Sequence, residues 1–393
     1  MLDFMENVQN AFYEASHWNL DNSYGALNTT ARALLDFQIP QGLRLQISSL
    51  AAPNFATSYT LGSVGVVDGS VSYLYSSLPL RKEFKSSHID LKSVIRGYKH
   101  VQELRRPDEN WWWELWHAGK RVDRKTDTLL YGRVFLPQSR LEALYLRRLT
   151  ATRQLRIAAV SDSNLNNGGT ILALLQTDVG KYSTEYMYST DSALMGVRGL
   201  YNFGADPRNA PTEPTAVDQV EPAYGRFSAG AELYYGLLNK SGGISTGLRF
   251  TTLPNHQGFP YTMTLTLNPL MGNLSSTYAV KAGSSLALCS RFDFNFYSYE
   301  SELQLGCELW RRRSSTDVEW AVKKLRPDWQ QPTISPDDDV SGVLKARVDQ
   351  DWRVGVLWEG RIKELLFTLG ASIDLKKREQ ILRCVGLELQ YSS

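Results

Sequence analysis

From Arg226 onward apolar and polar residues alternate with period 2, the repeat of a strand whose successive side chains point to opposite faces. In 261–269 one face carries Tyr261, Met263, Leu265 and Leu267, and the other carries Thr262, Thr264, Thr266 and Asn268. Segment 226–238 sets Phe227, Ala229, Ala231, Leu233, Tyr235 and Leu237 against Ser228, Gly230, Glu232, Tyr234 and Gly236. In 297–310 Tyr297, Tyr299, Leu303, Leu305, Cys307 and Leu309 oppose Glu300, Glu302, Gln304 and Glu308. Such segments predict about nineteen strands, near 43–50, 57–66, 69–78, 128–137, 141–149, 151–160, 168–177, 180–189, 194–203, 226–238, 243–253, 261–269, 273–282, 284–293, 297–311, 340–349, 351–360, 362–374 and 380–391.

A soluble sandwich or propeller also alternates. Many segments here sustain about 9 to 12 residues where soluble strands run about 5 or 6, and no propeller repeat recurs at fixed period. With the interrupting stretches set aside, about 13 residues remain per strand and turn, the spacing of a transmembrane barrel, and aromatics gather toward segment ends as barrel girdles do. The expected fold is all-β, a transmembrane β-barrel of about 19 strands with a helical N-terminal segment inside it.

The organisation read this way is an N-terminal segment 1–42 and a barrel 43–393 with long loops at 79–127, 204–225 and 312–339. Phe4, Val8, Ala11, Phe12 and Ala15 stand at helical spacing, and Leu27, Ala31, Leu34 and Leu35 continue it. Asp3, Glu6 and Glu14 precede the first cation, Arg32, which disfavours an anionic membrane surface for this helix. A lumen plug anchored by Phe4, Val8 and Phe12 fits better. In the first long loop, Glu109–Trp116 predicts a short helix whose Trp111, Trp112, Trp113 and Trp116 meet a partner or pack on the rim. The proline-bearing loops 204–225 and 312–339 read as solvated.

Composition changes the picture little. The 393 residues hold 43 Lys+Arg against 41 Asp+Glu and are 42% hydrophobic, which argues against a polybasic nucleic-acid binder and against bulk disorder. Three distant cysteines, Cys289, Cys307 and Cys384, make no disulfide framework or zinc ribbon and suit a reducing compartment. No run approaches a membrane-spanning helix, and the first residues resemble neither a secretory signal nor an Arg-rich presequence. Transmembrane strands escape all of these tests, because alternation hides them in the average.

Catalytic chemistry is not signalled. His17, His88, His100, His117 and His256 never fall at metal-ligand spacing, and nucleophile elbows, phosphate loops and dinucleotide fingerprints are missing from the sequence. No cofactor is expected. Glu300 and Glu302 share a face, as an acid–base pair does, but such pairs more often line a wet interior. Arg311, Arg312 and Arg313 close a strand where cations meet headgroups or partners. The sequons at Asn28, Asn239 and Asn273 carry no weight without a secretory signal.

The last strand, Arg383-Cys384-Val385-Gly386-Leu387-Glu388-Leu389-Gln390-Tyr391, is similar to the sorting signal of mitochondrial outer-membrane barrels. Gly386, Leu389 and Tyr391 fit it, and Cys384 stands at its polar position. More of the chain resembles the fungal mitochondrial distribution and morphology protein 10 family, through Ala11-Phe12-Tyr13, His17-Trp18, Leu34-Leu35-Asp36-Phe37, Ile39-Pro40, Leu45-Gln46-Ile47-Ser48 and Gly69-Ser70-Val71-Ser72-Tyr73-Leu74-Tyr75-Ser76. Leu265–Leu270, Ser275–Tyr278, Phe292–Asn295 with Tyr297-Ser298, and Gly306–Trp310 extend it.

The resemblance implies a nineteen-stranded barrel of the voltage-dependent anion channel class in the mitochondrial outer membrane, closed by parallel pairing of its first and last strands. It implies a non-enzymatic anchor with two associations. One is with lipid-transfer subunits of the endoplasmic reticulum–mitochondria encounter structure; the other is with the core barrel and cytosolic subunits of the sorting and assembly machinery. Membrane phospholipids are further expected partners, and nucleic acid is not. Tyr73 and Tyr75, on one strand face beside the first long loop, are candidate partner contacts or plain girdle residues. A metabolite-conducting porin is the competing reading, and a soluble β-rich enzyme a third.

Overall fold

The structure is a computed structural model of the chain and describes residues 1–393 except 65, 81–83, 102–103, 105–115, 118–119, 122–126, 164, 166–167, 205–224, 254–255, 257, 313–339 and 377–380. The alternating segments form nineteen strands of one sheet. They are β1 (Gly42–Ala52), β2 (Phe55–Val64), β3 (Val66–Ser76), β4 (Thr128–Leu136), β5 (Arg140–Arg148), β6 (Arg153–Ser161) and β7 (Gly169–Asp178). Next come β8 (Tyr182–Ser189), β9 (Leu194–Asn202), β10 (Gly225–Gly236), β11 (Ser241–Thr252), β12 (Tyr261–Asn268) and β13 (Asn273–Lys281). The last six are β14 (Leu286–Asn295), β15 (Ser301–Arg312), β16 (Val340–Asp349), β17 (Arg353–Ile362), β18 (Leu365–Asp374) and β19 (Leu382–Ser392).

Each strand pairs antiparallel with the next, and β1 pairs parallel with β19 from Gly42↔Gly386 to Ser48↔Ser392. An odd number of strands in up-and-down order leaves the first and last running the same way, so the parallel seam is required for closure. Closure removes the unpaired edges that would otherwise be exposed in lipid.

The two faces are the reverse of a soluble protein's. Gln46, Ser48, Ser58, Ser70, Ser72, Thr264 and Thr277 are buried inside, while Leu43, Ile47, Leu61 and Leu233 are at least half exposed outside. This is the apolar-out, polar-in alternation of a membrane barrel. Among the described residues no helix is long and apolar enough to cross a membrane; the strands make the crossing.

The rims differ. The connections 77–127, 203–224 and 313–339 leave from the rim that also carries Ser393, whereas no connection at the opposite rim exceeds seven residues. Outward aromatics band both rims, with Phe55, Tyr73, Tyr75, Tyr201 and Phe227 toward the long-loop rim and Tyr188, Tyr235, Phe292 and Trp352 toward the other.

Residues 1–41 form α1 (Phe4–Ala15), a 3-10 turn (Tyr24–Ala26) and α2 (Thr29–Leu35), as the helical spacing predicts. The first long loop adds α3 (Leu91–Val94) and a small hairpin, Trp116–His117 with Lys120–Arg121. Trp116, expected on a helix, is therefore extended. Only Ala118-Gly119 separates the two paired ends, and a two-residue connection with glycine suits a hairpin. Trp111, Trp112 and Trp113 lie outside the described residues.

Candidate functional site

The largest apolar area of the inner wall is over β2–β5, where Ala56, Leu74, Leu129, Leu144 and Leu146 point inward. There α1 lies. Its residues Phe4, Val8 and Phe12, spaced one turn apart, retain 6%, 0% and 0% of their exposure and pack with Met5, Tyr13 and Trp18 against those wall residues. Burial pushes the Tyr13 phenol above its ordinary range, opposed by nearby Arg156 and a hydrogen bond with Gln154. Leu34 and Leu35 of α2 form a second cluster with Ala279, Ala287 and Cys289, on the far side of the cylinder.

Polar contacts trace residues 1–41 around the circle. Asp3 accepts a hydrogen bond from Gln46 of β1 and lies 3.4 Å from Arg133 of β4. Asn22 donates to Asp178 of β7 at 2.6 Å and accepts from Asn202 of β9 at 2.8 Å. Ser23 donates to Glu185 of β8 at 2.8 Å, and the Tyr24 hydroxyl is 2.8 Å from Ser245 of β11. Arg291 of β14 grips Asp36 through two 2.8 Å hydrogen bonds, the strong bidentate form. Arg347 of β16 donates to the Leu35 carbonyl at 2.7 Å, a cation at the negative end of α2. A segment that touches strands on every side of a closed sheet lies within it.

Sequence reasoning missed a second filler. Residues 84–101 also enter the lumen: Ile89, Leu91, Val94 and Ile95 pack with Leu2, Val343 and Leu366. Their backbone is held by Arg361, which donates to Ser87 and Ile89 carbonyls at 3.1 and 2.9 Å, and by Lys345, which donates to Arg96 O at 2.5 Å. The hint was Ile89, Leu91, Val94 and Ile95, an apolar cluster in a stretch read as loop.

Behind this strap lies a buried charge network. Lys345 Nζ is 2.9 Å from Glu359, which also meets the Met1 amino group, and Glu308 faces Lys345 across the β15–β16 ladder while accepting from the Tyr98 amide at 3.2 Å. Lys345, Glu359 and Glu308 keep at most 1% of their exposure.

At the short-turn rim a cavity of about 940 Å3 remains, between α2, β12–β15 and the turn after β16. Glu300 and Glu302 line it with Arg32, Arg291, Asp293 and Asp351. Glu302 accepts from Gln304 at 2.7 Å and Glu300 from Ser298 at 3.1 Å. Among the described residues no group of three His, Cys, Asp or Glu side chains is placed to hold a metal ion.

Tyr73 and Tyr75 face outward, each 47% exposed. Tyr73 stacks on Phe55 at 6.1 Å. Its other neighbour across the ladder is Gly132, around whose missing side chain there is open space, so one flank of the Tyr73 ring is uncovered. In β19, Leu389 and Tyr391 pair with Leu45 and Ile47 in the seam. Gly386 faces inward, where a Cβ would collide with Pro40 O, and Cys384 Sγ lies 3.5 Å from the same oxygen.

The family model described as Mitochondrial distribution and morphology protein 10 matches residues 1–337 and 319–393. Relatives bearing that name align over their whole length and the whole of this chain: one from Phaeosphaeria nodorum is 87% identical over 393 residues, one from Sclerotinia sclerotiorum 63% over 405, and one from Neurospora crassa 43% over 480. The chain belongs to the mitochondrial distribution and morphology protein 10 family, and its closed nineteen-stranded cylinder is that of a mitochondrial membrane protein.

Proposed function

We propose that the protein is a non-enzymatic anchor and assembly factor of the mitochondrial outer membrane. In this reading it holds lipid-transfer subunits of the endoplasmic reticulum–mitochondria encounter structure at the membrane, supporting phospholipid exchange, mitochondrial morphology and inheritance. It also works with the core barrel and cytosolic subunits of the sorting and assembly machinery in β-barrel biogenesis and late assembly of the import translocase. The observation that carries the anchor reading is the occupied lumen: residues 1–41 and 84–101 fill the space a porin leaves to its solute, so the wall and the rims are what remains for contact. Phe4, Val8 and Phe12 act as the plug, Tyr73, Tyr75 and the Trp111–Trp116 run as partner contacts, and Gly386, Leu389 and Tyr391 as the sorting signal.

Affinity purification of the full chain in mild detergent tests this, with subunits of both assemblies expected to co-purify. Recovery of the barrel alone would overturn it. The cavity at the short-turn rim favours a porin as the second reading. Planar-bilayer conductance separates the two: the intact chain conducts poorly under the anchor reading and deletion of residues 2–36 raises conductance, whereas wide, ungated conductance by the intact chain identifies a porin.

A further inference from the structure

Most outward positions carry large side chains, but over β15–β19 the wall is hollowed. The register sets Arg311, Gly342 and Gly360 in one outward row, and Val356, Ala371 and Val385 in a parallel row. Beside Arg311, Gly342 leaves the backbone without a side chain and the Trp358 indole leans over it, 3.5 Å from where a Cβ would stand, while the Phe367 ring covers Gly360 at the end of the row. The resulting groove, about 730 Å3, is apolar except at Arg311. It also descends: Arg311 is one residue from the long-loop end of β15, and Val385 is seven from that end of β19. Four inter-strand spacings of about 4.8 Å carry it roughly 19 Å across the wall.

We propose that this groove holds one acyl chain of a glycerophospholipid, with the lipid phosphate on Arg311. The occupant must be apolar along its length, anionic at one end, and oriented with that end at the membrane surface. A phospholipid in the adjoining leaflet has this order of parts, and a guanidinium recognises phosphate through charge-assisted hydrogen bonds. No described carboxylate pairs with Arg311. The proposal needs the chain to be a membrane barrel but neither of its partner assemblies.

The test is photolabelling of the full chain in phosphatidylcholine vesicles containing a phosphatidylcholine with a diazirine at the tail end, followed by peptide mass spectrometry. Adducts concentrate on 342–358 and 369–385, about fivefold over the outward faces of β10–β12, a modest affinity difference. Ala371→Leu, or Val356→Phe if that variant does not insert, fills the groove and brings labelling down to the general level. Arg311→Gln reduces lipid retained in native mass spectrometry about tenfold, by loss of the charge-assisted bonds. Even labelling around the wall, or protection of this face by a second copy or another polypeptide, overturns the proposal. Carbonate resistance of each variant is read separately, so loss of insertion is seen as failure of the barrel and not of the lipid site.

Discussion

Replacing Phe12 by alanine tests whether α1 is what keeps the lumen shut. The ring is fully buried in the cluster that α1 forms with the inward leucines of β3–β5. Truncating such a side chain costs about 3–5 kcal/mol, the lost transfer free energy plus the cavity left behind. At about 1.4 kcal/mol per tenfold, that lowers the ratio of docked to undocked helix by roughly two to three and a half orders of magnitude. The wall strands keep their ladders, so the cylinder persists while its filler loosens. Single-channel recording in planar bilayers is expected to show rare openings for the parent and frequent ones for Phe12→Ala. Phe12→Leu, which keeps most of the volume, is expected to cost less than about 1.5 kcal/mol and to stay near the parent. Identical open fractions for Phe12→Ala and the parent, with the variant inserted, would refute the idea that α1 docking controls the pore.

Lys345→Met removes the 2.9 Å cation partner of buried Glu359 and the cation facing buried Glu308, and is expected to lower stability by about 3 kcal/mol or more, read as a shift in denaturant midpoint. The double variant Lys345→Met with Glu308→Gln should recover part of that loss; no recovery would show that the two groups are not coupled. Gly386→Val drives a branched side chain into Pro40 and is expected to give an inserted but incompletely closed barrel, seen as loss of the heat-modifiable band on semi-native gels. Tyr73→Ala with Tyr75→Ala should weaken one partner complex in affinity purification and leave carbonate-resistant insertion unchanged; loss of insertion would make the pair structural.

The cylinder was legible because period 2 survives without knowledge of neighbours: Met263 and Thr264 declare their faces from order alone, and an odd strand count already requires a parallel seam. Phe4, Val8 and Phe12 were legible for the same reason at the helical period. The strap at 84–101 was not, because a helix of four residues, Leu91–Val94, is too short to show a period and its apolar residues take meaning only from Val343 and Leu366 opposite. The Lys345–Glu359 pair escaped too, since each residue sits at an inward position where a charge facing water is ordinary. Only the fill of the lumen turns them into a buried pair. The hollow depends on Gly342 falling beside Arg311 and on Val356, Ala371 and Val385 of three strands falling in one row below it, a fact of register.

The parallel seam has a consequence in time. Until β1 arrives, the final strand is an edge whose amides and carbonyls are unspoken for, and any factor that recognises Gly386, Leu389 and Tyr391 as an extended strand has only that interval in which to do so. Once Gly42–Ser48 zips against Gly386–Ser392, those backbone groups are taken, and Pro40 covers the glycine from within. If these three residues are the sorting signal proposed above, closing the cylinder hides it, and completion of the fold and release of its reader become a single event.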